Sequence, residues 1–82
     1  MQVTFSDGSY HCPLLQEALD TVLMVFPELK IHVTGREYND DYNVVVKRRY
    51  GKWDDTAIKS FLSAFKGCHN PKPVFHFWDG VN

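Results

Sequence analysis

Residues 29–50 read LKIHVTGREYNDDYNVVVKRRY, and this stretch decides the fold. Residues 29–33 alternate between apolar and polar side chains, which is the period of a strand with one buried face. A second strand pattern covers residues 42–50. The Asn-Asp-Asp sequence at residues 39–41 favours a turn, because these side chains bond their own backbone and tolerate left-handed conformations. The stretch therefore predicts a β-hairpin.

An amphipathic helix is predicted before the hairpin. Pro13 suits its first turn, where a fixed φ and a missing N–H do no harm. Apolar residues follow at helical spacing: Leu15, Leu19, Val22 and Phe26. The helix must end near Pro27, because proline cannot continue it.

A second helix is predicted after the hairpin. Gly51 breaks the strand, and Asp54 or Asp55 can accept the free N–H groups at the start of a helix. Apolar residues then fall at the i, i+3, i+4 and i+7 positions of one helix face: Ile58, Phe61, Leu62 and Phe65. Lys66 and Gly67 suit the end of the helix.

Short strands are predicted at both ends, over residues 1–6 and 74–78. The order is then β-α-β-β-α-β, which is the ferredoxin-like arrangement of two helices on one face of an antiparallel sheet. If the first strand does not form, the unit is helix, hairpin and helix, with the last strand at its edge. At 82 residues, the chain is expected to form a single α+β domain over residues 1–82, with a core rich in aromatic side chains.

Composition narrows the classes of function. The formal net charge is −1, so the overall field favours neither a nucleic acid nor a membrane as partner. The longest apolar stretch, residues 22–26, is too short to span a bilayer, and no basic leader begins the sequence. Two cysteines are too few for the disulfide framework of a small secreted domain. These features predict a cytoplasmic protein with reduced thiols.

Candidate catalytic and metal-binding residues are few. His11-Cys12 and Cys68-His69 would supply four zinc ligands if the fold joined them, but adjacent ligands chelate poorly. Either cysteine could be a catalytic nucleophile with the neighbouring histidine as its base, but neither is flanked by the glycine motif of an oxyanion hole. The acidic pairs at residues 40–41 and 54–55 lie where a turn or a helix cap already requires Asp. We therefore predict no catalytic residue, no metal and no cofactor.

The densest charged segment is residues 47–53, KRRYGKW. Basic side chains between aromatic ones suit phosphate contacts and base stacking, so binding of RNA or DNA through this segment is the alternative function. In a strand, Lys47 and Arg49 point one way while Arg48 and Tyr50 point the other. The aromatic signature that RNA-recognition folds carry on their third strand is absent from residues 42–47.

The favoured function is binding to another protein. A two-layer domain leaves one face of its sheet open, and the predicted strands put basic and aromatic side chains on it, a mixture typical of interface hot spots. The candidate binding residues on this face are Lys30, His32, Lys47, Arg49, His76 and Trp78. Lys52 and Trp53 of the basic segment complete the predicted site. The competing interpretation is that Trp78 belongs to the core and the charges are ordinary surface.

Residues 26–66 also resemble a known family. The order of a helix ending in Phe-Pro, the strand 29–33, a polar turn, the strand 43–46 and a following helix is similar to large-polyvalent-protein-associated domains of phages and plasmids. This resemblance implies a mobile-element accessory protein, of which compact non-enzymatic examples inhibit host defence complexes in the manner of an anti-CRISPR. It assigns no role to any single residue.

Overall fold

The hairpin predicted from residues 29–50 is the centre of the sheet. A computed structural model describes residues 3–6, 11–35, 41–48, 51–66 and 72–79. Its elements, in chain order, are β1 (Val3–Phe5), α1 (Pro13–Val25), β2 (Lys30–Thr34), β3 (Asp41–Arg48), α2 (Asp55–Ala64) and β4 (Lys72–Asp79). The predicted order of helices and strands is therefore confirmed, including both terminal strands.

Strand pairing differs from the prediction. The strands lie in the order β1-β2-β3-β4, with β1 parallel to β2, β2 antiparallel to β3, and β3 parallel to β4. The sheet is therefore mixed, which corrects the predicted antiparallel sheet, and the ferredoxin-like order is not confirmed. Alternation along a strand shows which side chains are buried, but not which strand lies alongside.

Both helices cover the same face of this sheet. The buried residues of α1 and Phe61 of α2 belong to one core with Ile31, Val33, Val44 and Val46. Chain geometry then gives the β1-α1-β2 and β3-α2-β4 crossovers opposite hands, so one of them departs from the right-handed rule. A ferredoxin-like order would have kept both crossovers right-handed.

The core follows the predicted apolar positions, with one shift. Leu15, Leu19 and Val22 of α1 are fully buried, as their spacing predicts. In α2, Phe61 is fully buried, but Leu62 is 46% exposed, so its predicted place in the core is wrong. The short α2 turns its partly buried residues Ala57, Ile58 and Ala64 toward the protein instead. The face of α2 that contacts the core is thus displaced from Leu62.

Asp54 caps the start of α2. Its carboxylate accepts a hydrogen bond from the backbone N–H of Ala57 at 2.8 Å, whereas Asp55 is the first residue of the helix. Replacing Asp54 by alanine should lower the free energy of unfolding by about 1 kcal/mol, because a helix N–H loses its acceptor. Asp54→Asn keeps an acceptor oxygen and is the matched control. Urea denaturation would measure both, and equal losses would contradict the capping role.

Candidate functional site

The face of the sheet away from the helices carries most of the predicted site. We call it the open face. Because side chains alternate along a strand, residues that pair across neighbouring strands share a face. The described side chains on the open face are Thr4, Ser6, Lys30, His32, Thr34, Asn43, Val45, Lys47, Val74, His76 and Trp78.

Lys30, Lys47 and Trp78 form one row across three strands. Lys30 pairs with Lys47, and Lys47 pairs with Trp78. The Lys47 ammonium lies 5.9 Å from the centroid of the Trp78 ring, within the range of a cation–π contact. Trp78 is 50% exposed, so it is not a core residue. The row presents two positive charges beside an accessible aromatic surface.

The next row contains both predicted histidines. His32 pairs with Val45, and Val45 pairs with His76. His76 Nε2 lies 3.2 Å from the side-chain oxygen of Asn43, which orients the imidazole along the sheet. Among the described side chains, the open face holds two lysines and no carboxylate. The described part of this face is therefore positively charged, although the whole chain is slightly negative.

Arg48 and Trp53 lie elsewhere. Arg48 points to the helix-bearing side, where its guanidinium lies 5.4 Å from the Trp53 ring and donates to the backbone oxygen of Lys52 at 3.0 Å. The Trp53 ring packs 4.8 Å from that of Phe77. Lys52 is exposed in the loop before α2. The segment 47–53 is therefore not one continuous surface, because Lys47 is separated from Arg48 and Trp53 by the sheet.

Arg49 lies outside the described residues. The structure thus brings Lys30, His32, Lys47, His76 and Trp78 together and leaves Lys52 and Trp53 apart from them. Asn43, Val45 and Val74 share the open face although they were not among the predicted site residues. The alternation within β3 and β4 is the signal that could have identified them.

The predicted metal and thiol candidates are only partly described. Cys12 is half-buried, and the His11 ring packs edge-on against Phe5 at 4.8 Å. Cys68 and His69 lie outside the described residues. Within the described ranges, no three His, Cys, Asp or Glu side chains are grouped so that they could hold a metal ion.

A cavity of about 290 Å³ lies between the end of α1 and the start of α2. Its lining includes Glu28, Arg48, Trp53 and the capping residue Asp54. Arg48 and Asp54 already make the contacts described above, with Lys52 and with Ala57. Two of the polar side chains that line this cavity, Arg48 and Asp54, are therefore already engaged by the loop and by the helix cap.

Comparison with known proteins adds no relative. A scan against models of protein families, a search of curated proteins and a search of solved structures each found no match for this chain. Over the part of the chain that the structure describes, no helix is both long enough and apolar enough to cross a membrane.

Proposed function

We propose that this chain is a small binding domain that recognises an acidic surface of another protein through the open face of its sheet. The observation that carries the proposal is the row of Lys30, Lys47 and Trp78. Tryptophan is enriched among the residues that dominate binding energy at interfaces, and such residues lie near the centre of the contact. Lysines beside it select a partner of opposite charge.

The energy available at Trp78 is substantial. Half of this side chain is accessible, so a partner could cover on the order of 100 Å² of it. At about 25 cal/mol per Å², that burial contributes roughly 2–3 kcal/mol. Strand pairing fixes the backbone of Trp78 and Lys47 before binding, so the ordering cost that remains is that of the side chains. One aromatic residue can therefore account for a large share of a modest affinity.

A narrower role for this binding domain is inhibition of a host defence complex. The resemblance of residues 26–66 implies an inhibitor from a phage or plasmid that occupies a binding surface of a host defence complex. A basic open face with an accessible Trp78 would be complementary to an acidic surface of such a complex. The partner is therefore sought first in bacterial lysate.

Capture of partners from a lysate tests the contribution of Trp78 to binding. The full chain is immobilised and used to capture proteins from nuclease-treated bacterial lysate, with mass spectrometry as the readout. Trp78→Ala should reduce recovery of a stoichiometric partner at least about tenfold, as loss of a hot-spot aromatic requires. Met24→Ala is the control, because Met24 is 84% exposed on α1, in the opposite layer. It should leave recovery unchanged.

Charge reversal tests the chemistry of the partner. Lys30→Glu with Lys47→Glu should abolish capture of an acidic partner, and raised salt should weaken capture by the unchanged chain. Equal recovery with the Trp78→Ala and Met24→Ala chains would contradict the proposal. Partners that are captured from untreated lysate but not from nuclease-treated lysate would instead support the alternative, a module that binds RNA or DNA.

A further inference from the structure

The cavity between the end of α1 and the start of α2 lies apart from the open face. Its lining includes Arg48, which follows Lys47 in β3 and therefore points to the other side of the sheet. Its volume of about 290 Å³ is at the lower end of the range for small-molecule sites. An occupant of this cavity would therefore be a small metabolite and not a segment of a protein.

The walls of the cavity are largely apolar. The apolar side chains that line it are Phe26, Leu29, Trp53 and Ala57. Trp53 is held in place, since its ring lies 4.8 Å from that of Phe77 and its indole N–H donates to the backbone oxygen of Trp78 at 3.1 Å. A wall that is fixed before binding can cover the apolar part of a ligand at little ordering cost.

Two opposite charges line this cavity without pairing. Arg48 and Glu28 both belong to the lining, yet neither forms an ion pair with any residue that the structure describes. Arg48 donates one N–H to the backbone oxygen of Lys52, and the other N–H groups of its guanidinium have no acceptor within the described chain. Glu28 makes no hydrogen bond there either. Opposite charges that stay apart in one cavity suit a ligand that carries the complement of each.

We infer that this cavity binds a small zwitterion with an apolar body, namely a free α-amino acid with an apolar side chain. The ligand carboxylate accepts hydrogen bonds from Arg48, because a guanidinium and a carboxylate match in planar, two-point geometry. The ligand ammonium lies toward Glu28, and its side chain packs against Trp53.

The charges of the lining also argue against simpler ions. A ligand with only a negative charge would face the carboxylates of Glu28 and Asp54 without compensation. A ligand with only a positive charge would face the guanidinium of Arg48 in the same way. A zwitterion is the class of ligand that satisfies both signs of charge.

The test measures binding of free amino acids to the chain through the fluorescence of Trp53. Trp78→Phe leaves Trp53 as the only tryptophan, so the signal reports on the cavity and not on the open face. We expect saturable binding of L-leucine or L-phenylalanine. L-leucinamide lacks the carboxylate and N-acetyl-L-leucine lacks the ammonium, so each should bind at least about tenfold more weakly than L-leucine.

Glu28→Gln tests the ammonium contact without disturbing the fold. Since Glu28 makes no hydrogen bond or ion pair in the described chain, its replacement should leave the urea midpoint unchanged while weakening amino-acid binding at least about tenfold. Glu17→Gln is the matched control, because Glu17 is exposed on α1 and lies outside the lining of this cavity. It should change neither stability nor binding.

Three results would overturn the inference. The first is that neither amino acid binds at concentrations up to about 10 mM. The second is that L-leucinamide or N-acetyl-L-leucine binds as tightly as L-leucine, and the third is equal affinity of the Glu28→Gln and Glu17→Gln chains. All of these measurements use the chain alone, so they do not depend on the proposed protein partner.

Discussion

Replacing Phe61 by alanine is expected to remove a large share of the stability of this domain. Phe61 is the one fully buried residue of α2. Its ring lies 5.2 Å from Phe75, 5.4 Å from Phe77 and 6.0 Å from Trp53, each in edge-to-face geometry. Truncating a buried Phe costs about 3–5 kcal/mol through lost burial and the cavity left behind. A chain of this length has roughly 4–12 kcal/mol in total.

Leu62→Ala is the matched control for this variant. Leu62 follows Phe61 directly but is 46% exposed, so its truncation should cost less than about 1 kcal/mol. Urea denaturation followed by circular dichroism measures both changes. Because helical spacing alone puts both residues in the core, the pair also tests the orientation of α2. Similar losses for the two variants would show that α2 faces the core as the sequence predicted.

Gly35→Ala is expected to destabilise the hairpin by about 2 kcal/mol through overlap with Tyr42. Gly35 is buried just after β2, and a Cβ atom built on it would overlap the base of the Tyr42 ring. Tyr42 is itself 4% exposed and packs edge-on against Phe5, with ring centroids 6.4 Å apart. Since the ring cannot move without leaving the core, the backbone after β2 must shift. Thr34→Ala, on the exposed neighbour, should be nearly neutral.

A double-mutant cycle separates this overlap from other effects of the glycine. Tyr42→Ala removes the ring and costs stability by itself, but adding Gly35→Ala to it should cost little more. The coupling free energy between the two positions should then approach the full cost of Gly35→Ala, about 2 kcal/mol. Additive losses would contradict the close approach of Tyr42 as the reason for glycine at position 35.

Local patterns were sufficient for the elements and for much of the open face. The helix spacing of Leu15, Leu19 and Val22, the cap at Asp54 and the alternation of residues 29–33 depend only on neighbours in the chain, so the sequence shows them directly. Alternation also separated Lys47 from Arg48, because successive side chains in a strand point to opposite faces. The sequence could not show that Phe61 is buried while Leu62 is exposed. Both residues fit the apolar face of an amphipathic helix, which covers 100° or more.

Tertiary structure decided which strands are neighbours in the sheet. No local pattern indicates that β3 lies between β2 and β4, and only that order puts Lys30, Lys47 and Trp78 in one row. It also leaves β4 at the edge, where Trp53 reaches the backbone of Trp78. Such contacts join residues far apart in the chain, and they depend on how the strands pair, which short-range periodicity does not specify. The sequence by itself determined the helices, the strands and the alternation of faces along each strand, while strand pairing assembled the site and put Trp78 on its exposed side.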